Sequence, residues 1–205
     1  MKIAILLPYK ENFSPEYPGA VSLFVYETSL RSKYKKNITV FGSTKYKKKF
    51  DIKYRNIDLF SNPLRSQTKL YVNKFINLQN KYDFSILEIH NRPSYINILK
   101  NKLPGKILSL YFHNDPLSMD GSKTIEDRKS LLKSCYKIIF NSNWSKKRFL
   151  NGLENKFVNS DKLVVFFQSA KKNQNSILKS KKKWITFVGK LNSAKGYDIF
   201  AKSIK

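Results

Sequence analysis

Short apolar runs recur along this chain at intervals that only one kind of fold accommodates well. KIAILLP (2–8) is apolar nearly throughout, and NITVFG (37–42), DFSILEIH (83–90), KILSLYFH (106–113), KIIFNS (137–142) and KLVVFF (162–167) each carry a cluster of apolar residues. Strands covered on both faces read this way, whereas a half-exposed strand alternates. A weaker strand is expected near 51–55. Helical patterns fall between the runs: from Ala20 to Tyr34, from Ser66 to Asn80 with Leu70, Phe75, Ile76 and Leu78 near one side, after Pro93, and from Thr124 to Cys135. Another helix follows Asn143 and closes at Gly152. Strands separated by helices predict an α/β fold, a Rossmann-like doubly wound parallel sheet.

The organisation changes after Phe167. Residues 169–183, SAKKNQNSILKSKKK, are polar and basic and read as a linker. WITFVG (184–189) then reads as a strand opening a second unit, with a glycine turn and a helix after it. The expected layout is one domain over 1–168, a linker over 169–183 and the start of another domain over 184–205.

Composition narrows the partners. The net charge is +26, with 34 lysines against 6 arginines. Such a surface attracts nucleic acid, anionic lipid or phosphorylated substrates. AT-rich codons, which also favour the abundant Asn, Ile, Phe and Tyr, offer a second source for the lysines. Base readers lean on the forked guanidinium of Arg, which is scarce here, so nucleic acid is the weaker partner. The single cysteine, Cys135, excludes an internal disulfide and reads as a buried thiol in a reducing compartment. No apolar run approaches the roughly 18 residues of a membrane span. A cytoplasmic protein is expected, with peripheral contact at the inner face of the cell membrane allowed by the charge.

In an open parallel sheet, ligands bind beyond the carboxyl ends of the strands. Four features fall there. Gly19, in Tyr17-Pro18-Gly19-Ala20, permits close backbone approach ahead of a helix N-terminus whose N–H groups favour anions. His90 and His113, the only histidines, each end a strand. Imidazole suits proton exchange or bonding to sugar hydroxyls near neutral pH. Two histidines without a third ligand make a weak metal site. Asp115 lies beside His113 in HNDP, a sequence that also suits an Asx turn before Pro116. Finally, Gly189, Lys190 and Lys195 surround a turn before a helix, where two ammonium groups could neutralise a diphosphate. Neither GxGxxG nor GxxxxGK[ST] is present.

Taken in order, these segments resemble the retaining nucleotide-sugar glycosyltransferases of family four, built from two Rossmann-like domains in the GT-B arrangement. KIAILLP, NITVFG, DFSILEIH, KILSLYFH, KIIFNSNWSKKRFL and KLVVFF match the strands of its first domain. FVGKLNSAKG resembles its strand–Gly–Arg–Leu–x3–Lys–Gly motif, with Lys190 in place of Arg. Pro18 replaces the first of two adjacent family glycines, and Gln168-Ser169-Ala170 stands where the family has Asn-Gly-Val.

The resemblance implies that the first domain holds a glycan or lipid-linked acceptor and the second a nucleotide-diphosphate sugar. Gly19 would approach the donor phosphates. His113 is the catalytic candidate, with His90 and Asp115 beside it on the substrate. Gly189, Lys190 and Lys195 would clamp the diphosphate, basic groups taking the place of a metal, so neither metal nor other cofactor is expected. Family members continue for about another domain-length, so the resemblance also implies a truncated chain, inactive by itself. The implied setting is assembly of cell-surface polysaccharide or lipopolysaccharide. The rival reading is a non-enzymatic basic domain on nucleic acid or an anionic membrane.

Overall fold

A computed structural model describes residues 1–59, 66–169, 185–189, 191 and 193–204. The chain divides into two compact units, Met1–Gln168 and Ser169–Lys205.

The first unit is built on seven parallel strands: β1 (Ile3–Leu6), β2 (Ile38–Gly42), β3 (Tyr54–Asn56), β4 (Ile86–His90), β5 (Ile107–Phe112), β6 (Lys137–Phe140) and β7 (Leu163–Val165). Their spatial order is β3-β2-β1-β4-β5-β6-β7. Ile3 pairs with Ile38 on one side and Ile86 on the other, so β1 and β4 meet where the strand order reverses. That junction is where an open parallel sheet offers a ligand crevice. The weak strand expected over 51–55 lies at 54–56, on the sheet edge, where few contacts define its ends.

The helices are α1 (Ala20–Arg31), α2 (Gln67–Tyr82), α3 (Ser94–Lys102), α4 (Ile125–Ser134) and α5 (Asn143–Leu150). They divide unequally between the faces. Leu6, Leu87, Ile89, Leu110, Phe112 and Phe140 pack with Tyr71 and Phe75 of α2, Ile96 of α3, Leu131 of α4 and Phe149 of α5. On the other face Ile5, Leu7, Ile38 and Val40 pack with Val21 and Val25 of α1. Beyond that helix, Glu88, Tyr111, Ile139, Val164 and Phe166 line an apolar groove of about 300 Å³ beside Phe24 and Thr28.

Caps written in the sequence set the helix starts. Thr124 and Asp127 form a reciprocal capping box on α4, and the Ser142 and Ser66 hydroxyls accept from Ser145 N–H and Lys69 N–H. Cys135 is buried, and burial pushes its thiol up to about 12, so it is an inert core thiol.

In the second unit, residues 193–195 form a 3-10 turn and α6 (Tyr197–Ser203) follows. Gly196 caps that helix at φ +72, a left-handed conformation that suits glycine. The strand expected over 184–189 is not formed by its described residues, 185–189. Ile185 and Val188 are 77% and 91% exposed. A strand needs a neighbour for its backbone groups, and none is supplied here among the described residues. The linker expected over 169–183 lies, apart from Ser169, outside the described residues. Among the described residues, no helix is long and apolar enough to cross a membrane.

Candidate functional site

The carboxyl ends of β4 and β5 bring the two histidines into direct contact. Side chains two apart on a strand share a face, so Glu88 and His90 point the same way, as do Tyr111 and His113. His90 pairs with Tyr111 across the ladder. The outcome is a row of hydrogen bonds. His90 Nε2 lies 2.7 Å from Glu88 Oε1, His90 Nδ1 2.8 Å from His113 Nε2, and His113 Nδ1 2.9 Å from Gln168 Nε2.

Aromatic packing holds the row in place. Tyr111 stacks on both imidazoles, with ring centroids 5.3 Å from His90 and 4.5 Å from His113. Its hydroxyl donates to Phe166 O at 2.8 Å. Phe24 of α1 meets His113 edge-on at 5.1 Å. His90 is fully buried, whereas the Glu88 side chain is 30% exposed to the groove. Burial, reinforced by the neighbouring His90, pushes His113 down to about 3, so the ring is neutral at physiological pH.

The backbone at His113 is clamped from both neighbouring strands. Asn91 adopts φ +53, and its Oδ1 accepts from the N–H groups of His113 (2.9 Å) and Asn114 (3.3 Å). Asn141, just beyond β6, donates to His113 O at 2.8 Å.

Asp115 is committed elsewhere. Arg148 of α5 binds it through Nε (3.2 and 3.3 Å) and Nη2 (2.9 Å). Its Oδ1 also accepts from Leu117 N–H at 3.1 Å, which completes the Asx turn. The Arg148 contact, with that backbone bond, holds its carboxyl below the usual range. Asp115 therefore staples the loop after β5 to α5.

Gly19 caps α1, and its missing side chain has a specific use. A Cβ there would lie 1.9 Å from Glu11 Oε1. That carboxylate accepts from Ser22 N–H at 2.9 Å, at the helix N-terminus. The anion-favouring end of α1 thus already holds an anionic side chain from the preceding loop. In the second unit Gly189 and Lys195 are exposed, and Lys190 lies outside the described residues. Among the described residues no group of three or more His, Cys, Asp or Glu is arranged to hold a metal.

Sequence reasoning therefore placed the histidines but missed Glu88, Asn91, Tyr111, Asn141, Arg148 and Gln168. Glu88 and Tyr111 carried a signal, the two-residue spacing on a strand. Asn141 and Arg148 carried none, because each meets its partner about thirty residues away in sequence.

No protein-family model matches the chain, and comparison with curated proteins gives no match. Solved structures do match. Anabaena Alr3699/HepE, crystallised in complex with UDP, has a TM-score of 0.53 at 14% identity over 82% of this chain and 44% of that one. The apo form of the lipopolysaccharide outer core galactosyltransferase WaaB gives 0.53 at 17% identity, over 85% and 47%. A glycosyltransferase from Rickettsia africae ESF-5 gives 0.51 at 19%, over 82% and 43%. This chain spans less than half the length of each. The likeness shows the fold alone, an α/β Rossmann-like parallel sheet of the kind these glycosyltransferases contain.

Proposed function

We propose that the chain is the acceptor-side half of a retaining GT-B glycosyltransferase. The full enzyme would move a sugar from a nucleotide-diphosphate donor to a sugar or lipid-linked acceptor in cell-surface polysaccharide or lipopolysaccharide assembly. The observation that carries the reading is the His90–His113 pair at the carboxyl ends of β4 and β5, with β4 itself at the β1/β4 reversal. The UDP bound to HepE and the substrate class named for WaaB lend it support by analogy of fold.

In this reading His113 receives a sugar hydroxyl, His90 and Asp115 hold its ring and loop, and Gly19 borders the donor phosphates. A donor phosphate near α1 would have to displace or share the Ser22 N–H with Glu11. Gly189, Lys190 and Lys195 belong to the donor side as a diphosphate clamp, without metal. Residues 1–168 form the acceptor domain, 169–183 the linker and 184–205 the start of the donor domain. The protein works in the cytoplasm, and its positive charge favours contact with an anionic membrane, where lipid-linked acceptors reside.

The test titrates the 205-residue chain, 15N-labelled at its two histidines, with saccharides, diphospho-sugars and short nucleic acids. Saccharides are expected to move the His113 signals. Diphospho-sugars are expected to bind no tighter than about millimolar, roughly −4 kcal/mol, since base and ribose contacts belong to the other half. Micromolar binding of nucleic acid, with His113 unmoved by any saccharide, would overturn the reading.

A further inference from the structure

The row from Glu88 to Gln168 has a direction. An ionised carboxylate only accepts hydrogen bonds. His90 Nε2, 2.7 Å from Glu88 Oε1, must then carry a hydrogen. A neutral imidazole has one N–H, so His90 Nδ1 is left as an acceptor. His113 Nε2, 2.8 Å away, must supply that bond's hydrogen. His113 Nδ1 is an acceptor in turn, and the Gln168 amide donates to it at 2.9 Å. With one hydrogen on each ring, each link is consistent with the next and every ring nitrogen is satisfied. The remaining groups packed on the rings are Tyr111, whose hydroxyl is tied to Phe166 O, and apolar Phe24. Neither offers a competing proton.

We infer that Glu88 is a positioning residue that acts through His90 to present His113 Nδ1 as a hydrogen-bond acceptor only. The buried end of the row is fixed, and the outer end is an amide on the last residue of the first unit. A ligand group that takes the place of the Gln168 amide must itself donate. Neutral hydroxyls and amide N–H groups satisfy this, while phosphate and carboxylate oxygens are refused. Resting on the proposed function, this assigns His113 to a neutral hydroxyl-bearing part of the substrate and keeps it off the diphosphate. It also sets the direction of proton movement. A hydroxyl proton passing to His113 Nδ1 would release the Nε2 proton to His90 Nδ1, and the His90 Nε2 proton to Glu88.

Long-range 1H–15N NMR of the histidine-labelled chain reads the tautomers, and with only two histidines the assignment is simple. Both rings are expected as Nε2–H at pH 7. In Glu88→Gln the end group can donate as well as accept, so the Nδ1–H tautomer of both rings should become populated. Gln168→Ala, at an exposed position, should leave both tautomers unchanged, because direction comes from the Glu88 end. An Nδ1–H ring in the unaltered protein would overturn the proposal. So would a tautomer switch in Gln168→Ala, or unmoved tautomers in Glu88→Gln. If Glu88→Gln fails to fold, the other two measurements still decide. None of these readouts needs sugar binding. A relay that behaves as described in a chain blind to saccharides would refute the functional reading and leave the relay standing.

Discussion

At the scale of single residues, the His113 ring turns its environment into a pH dependence. Its folded value lies near 3, while an unfolded histidine titrates near 6.5. The unfolded chain therefore takes up a proton between these values and the folded chain does not. Stability is complete above about pH 6.5 and declines as pH falls towards 3, by up to about 1.4 kcal/mol per unit. Asp115 works in a lower window. Its carboxyl is depressed mainly by Arg148, so its contribution holds above about pH 3.9 and is lost as pH falls through its folded value. Comparing pH 7 with pH 5 therefore separates the His113 contribution from that of Asp115. Urea unfolding should show a loss of about 2 kcal/mol between those pH values. His113→Asn should flatten most of it; an unchanged slope would mean that the ring is not held neutral.

At the scale of elements, α1 shows how a glycine can be required without touching a ligand. The helix has no side-chain cap of its own, and Glu11 supplies the missing acceptor from eight residues upstream of Gly19. Gly19→Ala would push its methyl into that carboxylate. The expected cost is about 1 to 2 kcal/mol, the usual worth of a helix cap with its favourable charge. The mechanism is checked by a double-mutant cycle. In a Glu11→Ala background, Gly19→Ala should cost much less, measured by thermal unfolding. Additive costs would mean that the glycine serves the backbone for another reason. Asp115 makes a similar point. Its neighbour in sequence is His113, but its partner in space is Arg148, 33 residues on.

At the scale of the molecule, the net charge of +26 should govern long-range behaviour. Attraction of the chain to vesicles containing phosphatidylserine should fall at least about tenfold between 50 and 300 mM salt, as screening shortens its reach. Neutral vesicles should not bind it. Co-sedimentation measures both, and salt-independent binding would point instead to an apolar contact, for which the groove beside Phe24 and Phe166 is available.

The parallel sheet and its strand–helix alternation were legible in the sequence, because burial on both faces forces near-continuous apolar runs such as KILSLYFH. Helix starts at Thr124 and Ser142 were legible for a local reason: the capping side chain sits within three residues of the N–H it serves. The histidines could be placed at one sheet edge because parallel strands align their carboxyl ends. What the sequence could not carry was which groups meet across strands. Only the pairing of β4 with β5, and the return of the chain past β7 to Gln168, joins Glu88, His90, His113 and Gln168 into one row. Tertiary structure likewise decided that the expected strand at 184–189 is not formed over its described residues. An apolar run states that a strand is possible, but only a neighbour can satisfy its backbone.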